Sequence, residues 1–194
     1  MRLILASNSP RRRQLLTDLG LAYEIRLREV AEDFPPQLRR GEVAEYLARH
    51  KAAAYRPGLA EDELLLTADT IVCLDDDVLN KPADAAEARQ MLRRLQGRAH
   101  QVYTGVCLLP GDGRAPVSFV DETTVYFGPL SAAQIDFYVE NYQPFDKAGA
   151  YGAQDWLGLV GIERLEGSYF NVMGLPTHRV WAELVRMEYF AVSD

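Results

Sequence analysis

Apolar residues fall in short blocks along the chain, and the period within those blocks switches repeatedly between strand-like and helix-like. Arg2 to Ala6 reads as a short buried strand, followed by a Ser7-Asn8-Ser9 loop. Pro10 then opens a helix, with Ser9 as N-cap, Leu15, Leu16 and Leu19 as its apolar face and Gly20 as its stop. Tyr23 to Arg28 alternates like a strand, and Ala31 to Gly41, with Pro35-Pro36, is a loop. Val43 to Tyr55 has helical spacing through Val43, Ala44, Leu47 and Ala54. Leu64 to Leu74 is a long apolar strand that turns back at Asp75-Asp76-Asp77 through Val78-Leu79.

Asp84 caps the next helix, with Glu87 in the reciprocal capping position, and Gly97 ends it. Gln101 to Leu109 and Val117 to Phe127 form a hairpin around Pro110-Gly111-Asp112-Gly113. Ser131 and Gln134 make a capping box for a helix reaching Tyr142. Phe145 to Asp155 is a Gly-rich loop, Leu157 to Leu165 is expected as a strand, Gly167 to Leu175 as turn and strand, and Pro176 starts a last helix. This alternation, with a hairpin in its middle, predicts an α/β fold on a mixed sheet. No repeat, low-complexity stretch or linker interrupts it.

Composition narrows the classes. A length of 194 residues suits one domain, or two small lobes sharing a core, and 48% hydrophobic residues rule against disorder. The 21 Lys and Arg against 28 Asp and Glu leave a net charge of −7, a poor match to long nucleic acids. Cys73 and Cys107 lie in apolar runs and read as buried, reduced thiols. The first residues lack the apolar core of a signal peptide, and no run approaches the ~20 residues of a membrane span. A cytoplasmic protein is expected.

Several places could carry chemistry. At Ser7-Asn8-Ser9-Pro10-Arg11-Arg12-Arg13 a strand gives way to a helix start, where free N–H groups favour anions. Three arginines there oppose the helix dipole, a conflict that a bound phosphate resolves. Asp69, in Thr67-Ala68-Asp69-Thr70, interrupts an apolar strand and suits a metal ligand or a general base. Lys51, Lys81 and Lys147 could neutralise a triphosphate together with the arginines, and Glu32 could supply a second carboxylate. Gln154, after Gly149-Ala150-Tyr151-Gly152-Ala153, offers an amide to a base edge or a water. P-loop, dinucleotide-binding and nucleophile-elbow motifs are absent, the three histidines have no metal-ligand spacing, and His100 reads as a polar residue at a strand start.

The stretches LILASNSPRRRQLL, HKA, ADTIV, NKP, QMLRRLQGRAHQVYTGV, DKAGAYGAQ and GSYFNVMGLP, in that order and spacing, resemble the Maf family of nucleoside triphosphate pyrophosphatases almost end to end. The resemblance implies one Maf-like domain over residues 1–194, with an elongated mixed sheet, helices in two lobes around a cleft, and a relation to the inosine triphosphatase architecture. It implies hydrolysis of a nucleoside triphosphate to the monophosphate and pyrophosphate, a divalent cation (Mg²⁺, with Mn²⁺ as alternative) and a homodimer. By the same resemblance Asp69 is the catalytic acid and a metal ligand with Glu32. Lys51 and Lys81 join them in catalysis, and Arg11, Arg12, Thr70 and Gln154 bind substrate, to which Ser7 and Ser9 at the helix start add hydroxyl donors by their residue type. Arg11, Thr70 and Gln154 resemble the branch acting on dTTP and UTP, with 7-methyl-GTP as the alternative substrate. A non-catalytic septum regulator is the alternative of another class. Three departures from the family pattern stand out: His50 replaces the Glu of E-K-A, Asp155 replaces a Gly, and Ala31-Glu32 replaces an acidic pair.

Overall fold

The computed structural model describes residues 1–190. Its seven strands are β1 (Arg2–Leu5), β2 (Tyr23–Ile25), β3 (Glu63–Leu74), β4 (Asp77–Leu79), β5 (Ala99–Pro110), β6 (Val117–Phe127) and β7 (Ile162–Glu166). They form one mixed sheet in the order β2-β1-β3-β5-β6-β7, with β4 paired to β3. β1 runs parallel to β2 and β3, whereas β3–β4 and β6–β7 are antiparallel. Seven helices flank it: α1 (Pro10–Asp18), α2 (Gly41–Tyr55), α3 (Ala85–Leu95), α4 (Ala132–Tyr142), α5 (Trp156–Gly161), α6 (Tyr169–Met173) and α7 (Thr177–Arg186). The expected α/β class and mixed sheet are therefore observed.

The chain divides into two compact units. Among the described residues the first comprises 1–69, 104–121 and 174–190, and the second comprises 70–103 and 122–173. In the first unit Ile4, Ala48, Ala52, Tyr55, Leu65, Cys107 and Leu109 form a buried cluster. It arises because α2 lays the apolar side of its 3.6-residue repeat on strands that are apolar on both faces. A Cβ at Gly105 of β5 would lie 2.2 Å from the carbonyl oxygen of Ala44, so glycine there lets helix and strand backbones approach. In the second unit the core gathers residues of α3 (Met91, Leu92, Leu95), α4 (Ile135, Tyr138, Val139) and the sheet (Val102, Val125, Phe127).

The helix starts follow the sequence chemistry. The Ser9 hydroxyl accepts from Arg12 N, and Ser131 and Gln134 exchange both bonds of a capping box. Asp84 caps α3 through the N–H groups of Ala86 and Glu87, while Glu87 reaches back to Ala83 N rather than to the cap residue itself. Both cysteines are buried and free, as expected.

Two expectations fail near the C-terminus. The apolar run expected as a strand over Leu157 to Leu165 is helix α5 for its first part and strand β7 only from Ile162. The strand expected within Gly167 to Leu175 is the one-turn helix α6. Period cannot separate helix from strand in runs of about five residues, so packing decides. Gly158 approaches so closely that an added Cβ would lie 2.0 Å from Ala153 O, which folds the run back on the preceding loop. The strand expected over Tyr23 to Arg28 also stops at Ile25, where pairing with β1 ends at Leu5.

Candidate functional site

In the first unit, a contact between α2 and β3 sets the register of the charged groups. The buried Thr67 hydroxyl donates to the carbonyl of Ala48 at 2.7 Å. Asp69 lies two residues beyond Thr67 on the same strand face, and Lys51 lies about one turn beyond Ala48 on the same helix face. The two side chains therefore meet, and Lys51 Nζ donates to Asp69 Oδ2. The same ammonium is 2.7 Å from Glu32 Oε1, which arrives from the loop before α2. Lys51 and Asp69 are largely covered, with side-chain exposures of 17% and 12%, whereas Glu32 is half exposed. Two carboxylates thus converge on one cation, and oxygen donors of this kind suit a hard cation.

The loop after β1 is fastened by its own side chains. Ser7 Oγ accepts from Ser9 N at 3.2 Å and from Arg12 Nη1 at 3.3 Å. Arg12 Nε donates to Gly174 O at 2.7 Å, so the guanidinium is held on two sides. Desolvation lowers its pKa from the ordinary arginine value, while the negative charge of Asp69 opposes that shift. Arg13 turns away to bond Asn8 Oδ1 at 2.8 Å. Arg11 also belongs to this first turn, which carries no acidic residue. The helix start therefore carries three arginines at the positive end of the helix dipole and no carboxylate of its own turn.

In the second unit, Thr70 follows Asp69 in β3, and Lys81 is exposed just after β4. The loop 148–155 is tied to the Lys81 turn by Gly149 N, which donates to Asn80 O at 3.2 Å. Gly149 has φ +67°, and a Cβ there would press on Val72. Ala150 follows at φ +61°, in the left-handed region that side chains avoid, yet it is fully buried. Gln154 sits in a turn closed by Asp155 N donating to Gly152 O at 3.1 Å. Its Oε1 is shielded from solvent and has no hydrogen-bond partner among the described residues.

Ser7, Ser9, Arg12, Glu32, Lys51 and Asp69 are thus linked by hydrogen bonds, ion pairs or charge within the first unit. Thr70, Lys81 and Gln154 belong to the second unit. Lys147 is spent on carboxylates, 2.8 Å from Asp146 Oδ1 and 3.6 Å from Asp155 Oδ2. His50 is exposed and stacks on Tyr46, with ring centroids 5.8 Å apart. Among the described residues, no group of three or more His, Cys, Asp or Glu side chains could hold a metal.

A family model described as "Maf-like protein" matches residues 2–187. The chain belongs to the Maf family. Among curated Maf relatives, the "dTTP/UTP pyrophosphatase" of Phocaeicola vulgatus is 49% identical over 187 residues, covering 96% of both chains. The protein of the same name in Bacteroides thetaiotaomicron is 48% identical and covers 95% of both chains. That of Porphyromonas gingivalis is 49% identical, covering 94% of this chain and 92% of its own. The Ham1 protein of Staphylococcus aureus is a remote structural likeness at 14% identity and a TM-score of 0.49, covering 94% and 100% of the two chains.

Sequence reasoning missed the residues that fix these groups. Thr67 looked like one more strand residue, and its hydroxyl in an otherwise apolar run was the available signal. Tyr138 falls inside the helix expected to reach Tyr142, and periodicity registers a ring and not its hydroxyl.

Proposed function

We propose that this Maf protein hydrolyses dTTP and UTP to the nucleoside monophosphate and pyrophosphate. The observation that carries the reading is the Lys51 ammonium joined to the carboxylates of Asp69 and Glu32, in the same unit as the arginine-bearing start of α1. The names of its relatives and the Arg11, Thr70 and Gln154 pattern support the pyrimidine substrates.

In this reading, Asp69 orients a water and takes its proton as the water oxygen bonds to the α-phosphorus. The bond from the α-phosphorus to the bridging oxygen breaks, and pyrophosphate leaves with that oxygen. Arg11, Arg12, Lys51 and Lys81 offset the charge that grows on the phosphate oxygens. Ser7 and Ser9 help to shape the anion-binding start of α1. Asp69 and Glu32 would hold Mg²⁺, a cation that binds through one or two carboxylates together with substrate phosphates. When bound, that ion supplies neutralising charge at the phosphate oxygens.

Thr70 and Gln154 read the sugar or base. Thymine and uracil both carry an N3–H donor, and the Gln154 amide oxygen is its acceptor in this reading. We further take the protein to be a cytoplasmic homodimer that forms no stable complex with nucleic acid or membrane. No helix among the described residues is long and apolar enough to cross a bilayer.

The test is pyrophosphate release with Mg²⁺ over a panel of nucleotides, for wild type and Asp69→Asn. Release is expected from dTTP and UTP and not from Asp69→Asn. A folded, Mg²⁺-supplied protein that releases none from any nucleotide overturns the enzyme reading. A marked preference for 7-methyl-GTP overturns the substrate assignment.

A further inference from the structure

The turn that carries Gln154 is closed twice. Its backbone closure is the bond from Asp155 N to Gly152 O. A second closure runs through the hydroxyl of Tyr138 on α4. That oxygen accepts from Gly152 N at 3.1 Å and donates to Asp155 Oδ2 at 2.9 Å. The first and last residues of the turn therefore meet at one phenol oxygen. Tyr138 is fully buried, so its ring cannot swing away without opening the core.

The carboxylate is needed to complete this relay. Lys147 Nζ stands 3.6 Å from the same Asp155 oxygen and offsets its charge. Asp155 is also the N-cap residue of α5, yet its side chain makes no capping bond there. Its polar contacts therefore point back to the turn rather than forward to the helix. Glycine at 152 is required, because a Cβ there would lie 2.5 Å from Asp155 Oδ2. The burial and negative charge of this setting raise the Tyr138 pKa above the usual phenol range, so the hydroxyl keeps the proton it donates.

We propose that Asp155, acting through Tyr138, is a positioning residue for Gln154 and sets the discrimination between nucleobases. A glutamine that reads a base by one acceptor atom discriminates only if that atom stays in place. The double closure holds the turn between Gly152 and Asp155, and with it the backbone from which the Gln154 amide extends. Cytosine presents an acceptor where thymine and uracil present N3–H, so a fixed acceptor in the protein selects against it. A loosened turn lets the amide shift or flip and accept either base. This inference rests on the proposed pyrimidine nucleotide activity.

The experiment compares steady-state kinetics on dTTP and dCTP for wild type, Asp155→Ala, Asp155→Asn and Tyr138→Phe. Asp155→Ala and Tyr138→Phe should raise KM for dTTP about tenfold, leave kcat within about twofold, and lower the dTTP preference over dCTP about tenfold. Asp155→Asn keeps an acceptor for the tyrosine and should restore most of that preference. Thermal unfolding reports whether each variant is folded, and the preference ratio is read on folded protein only. Wild-type preference in both Asp155→Ala and Tyr138→Phe, or an Asp155→Asn variant that behaves like Asp155→Ala, overturns the positioning role. A wild type inactive on dTTP and UTP overturns instead the activity on which the role depends, and the inference with it.

Discussion

Lys51 donates to the carboxylate of Asp69, one turn along α2 and two residues along β3 from the bond that joins Thr67 to Ala48. The pair is largely shielded from water, so each charge depends on the other for its solvation.

Removing either partner should therefore have separable effects. Asp69→Asn leaves Lys51 its contact with Glu32. It should cost little stability and lower kcat by a factor of about 100 or more. Lys51→Met leaves two carboxylates facing each other without their cation. It should lower both kcat and the unfolding temperature, by roughly 3–5 kcal/mol of stability at most. Adding Mg²⁺ should recover part of that stability. Thermal unfolding with and without Mg²⁺, alongside single-turnover pyrophosphate release, checks both.

Gly105 controls how closely α2 approaches the sheet. A methyl group there would meet Ala44 O at 2.2 Å, and backbone cannot yield as a flexible side chain does. Gly105→Ala should destabilise by about 1–3 kcal/mol. It should also lower activity, because the same helix carries Lys51. Gly113→Ala offers a contrast. It has φ +88° but open space around it, so its cost should stay near 1 kcal/mol with activity kept. Urea unfolding and kcat/KM on the same preparations test the difference.

What was legible in the sequence follows a physical rule. Ser9 and Pro10 mark the start of α1 because caps act locally, and Ser131 with Gln134 does the same for α4. Asp69 stood out because a carboxylate in an apolar strand needs a partner, and that partner is Lys51 on α2, which also bonds Glu32. The run Leu157 to Leu165 reads as one strand although it spans α5 and β7, because that helix and strand are each too short for a period to declare itself. The clamp on Gln154 was invisible for another reason. Tyr138, Gly152 and Asp155 are separated in sequence and meet at one oxygen only after α4 has packed.

Arg12 joins Ser7 to the backbone of Gly174 with different nitrogens of one planar group. Lysine cannot span both contacts. Arg12→Lys should therefore lose the bond to Gly174 and raise KM for dTTP about tenfold, although the charge is unchanged. Arg12→Ala should raise it further. If Arg12→Lys matched wild type in KM, charge alone would explain this position. Initial-rate measurements at fixed Mg²⁺ decide between the two.

His100 gives the second unit an acid-sensitive element. The ring is fully buried, bonds the Tyr151 hydroxyl through Nε2 at 2.7 Å, and packs edge-on against Phe127 and Tyr151. Burial lowers its pKa from 6.5 to about 4. The folded protein therefore holds a neutral imidazole where the unfolded chain binds a proton, across the interval between those two values. Stability from this group is complete above pH 6.5 and is lost as pH falls toward 4, a change of about 3 kcal/mol. Glu63, bridged by Arg26 and held at about 2 from 4.5, adds a further loss only below pH 4.5. Unfolding free energy should thus decline in two stages on acidification. His100→Leu should remove the first stage and leave the second, while Glu63→Gln should do the reverse. Urea unfolding at half-unit steps from pH 7.5 to 3 resolves the two slopes, and a first-stage slope that survives in His100→Leu would assign it to another group.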